Sequence, residues 1–332
     1  MKFSVIVPIY NVANYLPKCI ESVISQNFDD YELILVNDGS KDNSLEICNK
    51  YATNNSNIIV INKKNGGLTS ARKAGITIAK GEYIACLDGD DYLDSHYFER
   101  LSEIVKGNPD CISFGYHTFD DKGDDILVSN PQADGVYVDD ELKEIRQNIV
   151  YSKKIKQLNY GIVNPSIWSK VVKRDIYKKA QLNVDDQISF GEDLLLTTMI
   201  FKEIKNLIVI SDHLYWYRVI RNSMSREYNP KVIGQLDLLA EKLIDILGND
   251  ERIPIYLYMQ INSQLSKAAK VLDYAMFKSV LYSIREQHIV IYKYALYYLK
   301  DSHSLKEIVM NLLLKYKLDL LLFYILRMGR RK

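Results

Sequence analysis

The chain has 332 residues, 47% of them hydrophobic and 26% charged, which is more than one ordinary core accommodates and enough for an α/β domain with an extension or for two domains. Its 43 Lys and Arg nearly cancel its 42 Asp and Glu, which excludes the global basic field that draws a protein onto nucleic acid. The four cysteines, Cys19, Cys48, Cys86 and Cys111, form no C-x-x-C pair and lie in apolar runs, so small buried thiols are expected rather than disulfides or a zinc site.

The opening "MKFSVIVPIYN" has one Lys, and Pro8 and Asn11 interrupt its apolar run before a signal peptide's apolar region is complete, which reads as the first strand of a cytoplasmic protein. From there the first 105 residues or so alternate as βαβ units do. Residues 3–9 form an apolar strand, followed by a helix in which Leu16, Ile20, Val23 and Ile24 share a face and Pro17 occupies the first turn. A strand at 31–36 and a helix marked by Leu45, Cys48 and Ala52 come next. Then follow a strand at 58–62, a helix over "LTSARKAGITIAK" and a strand at 82–87. Ser95 is expected to cap a further helix carrying Phe98, Leu101 and Val105. Strands this apolar, joined by helices, imply a parallel sheet covered on both faces.

Beyond this the spacing predicts a strand at 111–119, a turn in "DDKGDD", a short strand at 135–138 and a helix beginning near Asp139. A helix over 191–204 precedes two short strands at 207–210 and 214–218, and from about Asn229 only helical patterns remain. The expected domains are therefore α/β over 1–228 and a helical extension over 229–332. No segment reaches the roughly 20 uninterrupted apolar residues of a membrane-spanning helix. In "NLLLKYKLDLLLFYILRMGRRK", Lys315, Lys317 and Asp319 break the apolar run, and Arg327, Arg330, Arg331 and Lys332 follow. That pattern fits a helix lying on an anionic membrane surface, with a final packing helix as the alternative.

The first four strands each end in polar or glycine-containing residues: "PIYN" (8–11), "NDGS" (37–40), "KKNGG" (63–67) and "DGDD" (88–91). Parallel strands put all four on one rim, where open α/β sheets bind ligands. Asp38, on a turn made by Gly39, can accept from an N–H of a base edge, and the Tyr10 ring offers a stacking face. Gly66 and Gly67 allow close backbone approach, and Arg72 supplies a fixed cation for a ribose, base carbonyl or phosphate. Asp88, Asp90 and Asp91 repel one another, and the simplest remedy is a hard cation, Mg²⁺ or Mn²⁺, held by Asp88 and Asp90 with phosphate oxygens. Together these describe a nucleotide diphosphate site. The plainer alternatives are an ordinary Asx turn at "NDGS" and a helix-start role for Asp91. A calcium loop starting at Asp88 fails at Tyr92 and Leu93, and no G-x-G-x-x-G follows the first strand.

The stretches "SVIVPIYNVANYLPKCIESVISQ", "ELILVNDGSKDNS", "NGGLTSARKAG", "GEYIACLDGDDYL" and, far downstream, "GEDLLL" together resemble the family 2 inverting glycosyltransferases of bacterial polysaccharide type. The resemblance is dense over about 3–106, thinner over 162–225, and stops near residue 230. It implies the GT-A fold, a Rossmann-like, mostly parallel sheet flanked by helices, and a UDP-sugar donor. It further implies Asp38 on the uracil, Pro8 and Tyr10 shaping the base pocket, and Asp88-Gly89-Asp90 as the DxD motif with Asp90 the more direct metal ligand. Asp193 matches the catalytic base, with Glu192 beside it, and "YRVIRNSMS" resembles a segment that closes on the diphosphate through Arg218 and Ser223. His213 is a candidate third metal ligand, weighed against a histidine satisfied elsewhere. The implied acceptor is a glycan or lipid-linked glycan. Rival readings are nucleotidyl transfer, which lacks its basic glycine-rich loop here, and a nucleotide-sugar-binding protein without transfer. The sequence leaves the sugar, the acceptor and the oligomeric state undetermined, since the late helices can pack internally or pair between subunits.

Overall fold

The computed structural model describes residues 1–120, 123, 125–152, 162–219, 228–287, 309 and 312–328. The chain divides into two compact units, Met1–Ile149 with Ile162–Ile220, and Val150–Gly161 with Arg221–Lys332.

The first unit begins with β1 (Phe3–Ile9), α1 (Leu16–Ile24), β2 (Tyr31–Asp38), α2 (Ser44–Asn54), β3 (Ile58–Lys63), α3 (Leu68–Ile78) and β4 (Tyr83–Cys86). β2 is buried along its whole length and β1 nearly so, as near-continuous apolar runs in a covered parallel sheet must be. β1 pairs in parallel with β2 and β4, and β2 with β3, so four strand ends share one rim. α3 lies close on this sheet because residue 75 is glycine: a Cβ there would stand 2.5 Å from Ile6 Cγ2.

Next come β5 (Tyr92–Leu93), α4 (Tyr97–Ile104), β6 (Cys111–Phe119), β7 (Asp125–Val128), β8 (Gly135–Val138) and α5 (Asp139–Gln147). After these follow β9 (Lys170–Lys173), α6 (Arg174–Asn183), α7 (Glu192–Glu203) and β10 (Asn206–Arg218). Among the described residues the strands form one sheet in the order β3-β2-β1-β4-β9-β6-β10-β5, with β7 on β6 and β8 on β10. The parallel pairing expected for β1 to β4 recurs between β6 and β10, and antiparallel β9 joins the two groups. In the core cluster, Phe98 stacks on Phe28 and Tyr31 and is tilted against Phe3. All four cysteines are free and buried.

Two local expectations are corrected. Ser95 does not cap α4: the N-cap is His96, without a side-chain cap bond. Instead Asp94 Oδ1 accepts the His96 N–H (3.0 Å) and Gln26 Oε1 accepts that of Phe98 (2.9 Å). Residues 207–210 and 214–218 belong to one strand, β10, whose register against β6 shifts on either side of His213. The polar "SDH" marks a bulge within the strand rather than its end.

The second unit contains α8 (Lys231–Leu247), α9 (Arg252–Val271), α10 (Tyr274–Gln287) and α11 (Asp319–Met328). α11 buries Leu322, Phe323 and Leu326, with the Phe323 ring 5.2 Å from that of Phe277 on α10. Arg285 of α10 grips Asp319 with two bonds of 2.7 and 2.9 Å. Leu320, Leu321, Tyr324 and Met328 remain exposed on the same helix. Arg330, Arg331 and Lys332 lie outside the described residues. Among the described residues no helix is long and apolar enough to cross a membrane.

Candidate active site

The rim formed by β1 to β4 is knitted together by its own loops. The Asn11 N–H donates to Ser40 Oγ (3.1 Å), and Asn11 Oδ1 accepts the Lys41 N–H (2.8 Å). Gly89 lets the 88–91 turn lie against the end of β1, since a Cβ there would fall 2.9 Å from Val12 Cγ2 and 3.4 Å from the Pro8 carbonyl oxygen. Tyr10 is 47% exposed, and Pro8 is half-buried.

Asp38 is bonded into its own rim. Its Oδ1 accepts from Lys63 Nζ (2.5 Å) and the Gly66 N–H (2.9 Å), and its Oδ2 from the Gly67 N–H (2.7 Å). Three donors, Lys63, Gly66 and Gly67, share the roughly four lone-pair sites of this buried carboxylate, so it shapes the loop ahead of α3 and keeps acceptor capacity. Gly67 is the N-cap of α3 with φ +87°, and open space faces it.

One turn into α3, Arg72 is fixed between two acids. It shares the helix's buried face with Thr69, Gly75 and Ile76, and at 2% exposure it is no surface cation. Its guanidinium bonds Asp193 Oδ1 through Nη1 (2.5 Å) and reaches Asp88 Oδ1 through Nη2 (3.5 Å). Two carboxylates 105 residues apart in sequence thus meet around one cation. Asp193 sits in the first turn of α7 and also accepts a longer Ile167 N–H contact (3.3 Å). Among the described residues Arg72 Nε finds no acceptor, leaving one buried donor open to a ligand or water.

The electrostatics follow from burial and crowding. Burial raises the Asp88 carboxyl to about 6, with Arg72 opposing and Asp90 and Asp193 reinforcing the rise. Glu192 is raised to about 7, first by burial and then by the charge of Asp193. Asp90 is raised by burial, with Arg218 the opposing cation. Arg218 donates from Nε to the Asp90 carbonyl (3.0 Å) and lies over the rings of Phe119 and Tyr15 at 4.6 and 4.7 Å.

Asp88 and Asp90 fit the hard cation expected of them. They are half-buried oxygen donors whose charged forms are disfavoured until something positive arrives. Among the described residues no group of three His, Cys, Asp or Glu could hold a metal, so two carboxylates with ligand oxygens would have to suffice. His213 is corrected as a third ligand: its Nε2 pairs with Ser129 Oγ (3.2 Å), and its ring lies 5.7 Å from that of His117. Ser223 lies outside the described residues.

Sequence reasoning missed Tyr215 and Lys170, which build this site, and the role of Asp91 in it. Asp91 does not start a helix; it is 2% exposed and accepts from the Tyr215 hydroxyl and the Arg218 N–H, both at 2.7 Å. Tyr215 was concealed in an aromatic strand, where alternation gives burial but no partner. Lys170 is 1% exposed, its ammonium held by the carbonyls of Asn164 and Ser166 and lowered to about 8 by burial.

Comparison with known proteins bears on family and fold. The model of "Glycosyl transferase family 2" matches residues 4–181. The uncharacterized glycosyltransferase EpsJ of Bacillus subtilis is 34% identical over 229 residues, 68% of this chain and 64% of EpsJ. The minor teichoic acid biosynthesis protein GgaB of the same organism is 31% identical over 275 residues, 79% of this chain and 29% of GgaB. The chain thus spans less than two thirds of either relative. Staphylococcus aureus TarS 1-349, solved in complex with UDP-GlcNAc, superposes with a TM-score of 0.64 at 18% identity, covering 98% of this chain and 90% of that one, a likeness of fold.

Proposed function

Because the chain belongs to glycosyl transferase family 2, we propose that it moves a sugar from a UDP-sugar to a hydroxyl of a glycan acceptor, with inversion, in surface polysaccharide biosynthesis. The observation that carries this reading is the Arg72 bridge between Asp88 and Asp193 at the sheet rim. In this reading Asp193 takes the proton of the acceptor hydroxyl while the hydroxyl oxygen bonds to the anomeric carbon. The bond from that carbon to the phosphate oxygen breaks, and UDP leaves with the electron pair. Arg72 holds Oδ1, so Oδ2, kept only by the longer Ile167 contact, receives the proton. Pro8 and Tyr10 shape the base pocket, and Asp38 accepts from the uracil while fixing the Gly66–Gly67 backbone beside it. Arg218 meets the diphosphate, and Ser223, outside the described residues, is proposed as a further donor contact. Mn²⁺ or Mg²⁺ held by Asp90 and Asp88 would supply positive charge to the leaving diphosphate. The TarS complex with UDP-GlcNAc and the teichoic acid relative support a UDP-sugar and a cell-surface glycan or lipid-linked glycan.

The proposed place of work is the cytoplasmic face of the membrane. Leu320, Leu321, Tyr324 and Met328 are at least 50% exposed, and exposed Lys278, Lys315, Lys317 and Arg327 lie beside them in the sequence or across the cleft that Tyr274 and Tyr324 line. An apolar face with basic neighbours fits an anionic lipid surface.

The test is nucleotide release from a panel of UDP-, GDP- and CMP-sugars with Mn²⁺, alongside thermal stabilisation by each nucleotide. Stabilisation by UDP with metal is expected. In Asp193→Asn, UDP binding should persist while transfer falls by about 10²–10⁴-fold. Normal transfer by that variant removes the base assignment, and UDP binding without release of sugar from any donor would favour a binding protein instead.

A further inference from the structure

The turn that carries Asp88 and Asp90 is fastened to the rest of the sheet at one phenol. Tyr215 of β10 is fully buried. Its hydroxyl donates to Asp91 Oδ2 (2.7 Å) and accepts the Asp88 N–H (3.1 Å). Asp91 in turn closes the turn through its own N–H to the Asp88 carbonyl (3.0 Å) and takes the Arg218 N–H on its other oxygen (2.7 Å). With the phenol removed, a buried carboxylate oxygen and a backbone N–H would lose a partner together, which costs more than the bonds themselves are worth in water.

The same ring reaches toward the proposed base. Tyr215 stacks on Trp168 with centroids 4.4 Å apart and planes 15° from parallel. Trp168 is held from other sides by Tyr217 and by the edge of Tyr116. It directly follows Ile167, whose N–H contacts Asp193 Oδ2. That loop is anchored to α7 by Thr197 Oγ1 donating to the Pro165 carbonyl (2.7 Å), and to β9 by Lys170. Arg72 ties Asp88 to Asp193 directly; Tyr215 and Trp168 form a second tie, from backbone to backbone.

We propose that Tyr215 is a positioning residue which, stacked on Trp168, sets the spacing between the Asp88/Asp90 turn and Asp193. The inference rests on the glycosyl transfer reading above. It gives Tyr215 no contact with substrate. It makes the geometry of the 88–91 turn depend on the hydroxyl, and the alignment of that turn with the base depend on the stack.

The experiment compares wild type with Tyr215→Phe, which keeps the ring and the stack, and with Asp91→Asn, which keeps the phenol but alters its acceptor. Donor turnover is measured against Mn²⁺ concentration, and Mn²⁺-dependent UDP binding is measured by calorimetry on the same proteins, with folding verified by circular dichroism. For Tyr215→Phe the Mn²⁺ concentration for half-maximal activity should rise about tenfold, kcat should fall by a similar factor, and Mn²⁺-dependent UDP binding should weaken. Asp91→Asn should move the same metal constant in the same direction, and it carries the test alone if Tyr215→Phe does not fold. A purely structural hydroxyl would lower Tm and leave the metal constant, kcat per folded molecule and UDP binding unchanged; that result overturns the proposal. Wild-type protein that neither turns over nor binds UDP overturns the transfer reading, and this inference with it.

Discussion

Arg72 shows how far residue type alone can be read. Its identity as a fixed cation is legible in "SARKAG", but its direction is not, because the sequence names no partner 121 positions away. One signal was available: Thr69, Arg72 and Ile76 fall at helical spacing on the buried face of α3, which points an arginine inward toward acids. The crowding it relieves leaves a trace in Glu192, whose carboxyl is raised to about 7 by burial and by Asp193. The folded chain therefore keeps this proton at a pH where the unfolded chain, near the ordinary 4.5, has released it. The resulting stability is full below about 4.5 and is lost as pH rises through 7. Glu192→Gln cannot ionise and escapes that loss. In metal-free buffer its Tm should exceed wild type by a few degrees at pH 8, about 2 kcal/mol, and match it at pH 4.5. Equal Tm differences at both pH values would show that Glu192 is not held protonated. Asp88, raised to about 6 by burial, should leave a residual slope in both proteins.

At the scale of elements, β1 to β4 with their helices were legible because long apolar strands and amphipathic helices carry strong periodicity. β5, with two residues, and β9, whose "KVVK" offers one apolar pair, were not; strands that short are defined by their neighbours. α6 was missed for a related reason: "RDIYKKAQLN" buries only Tyr177, Ala180 and Gln181. The rim loops were legible as polar punctuation, whereas their cross-links through Asp38 and Asp91 depend on pairs the chain order does not reveal. The seating of α3 is a sharper case, because two effects of Gly75→Ala oppose each other. Alanine favours helix by about 1 kcal/mol, but its Cβ would meet Ile6 Cγ2 at 2.5 Å and Val36 Cγ2 at 3.3 Å, and overpacking of this kind costs about 1–3 kcal/mol. The clash should win. A lower urea midpoint with an unchanged m-value is expected, and turnover should fall with it because α3 carries Arg72. An unchanged or higher midpoint would mean that the helix shifts freely on β1.

For the whole molecule, the near balance of 43 basic and 42 acidic residues means that any attraction to a membrane must be local. α11 has surface for the packing seen and for the membrane contact proposed. It packs through Leu322, Phe323 and Leu326 and, on the same ten residues, leaves Leu320, Leu321, Tyr324 and Met328 at 50–76% exposure. Packing therefore does not consume its apolar surface. The exposed side chains are too few to hold the chain on neutral lipid, so binding should need both apolar contact and the nearby Lys and Arg charges. The full chain should float with vesicles rich in phosphatidylglycerol, float less as salt rises, and fail to float with pure phosphatidylcholine. Leu321→Asp with Tyr324→Asp should cut flotation at least several-fold while leaving UDP-dependent stabilisation intact, since neither residue belongs to the rim. Flotation unchanged by the double substitution, or equal on neutral and anionic vesicles, would remove α11 as the contact. A concentration-dependent dimer that the same substitutions dissolve would identify a second copy of the chain as the occupant of that face.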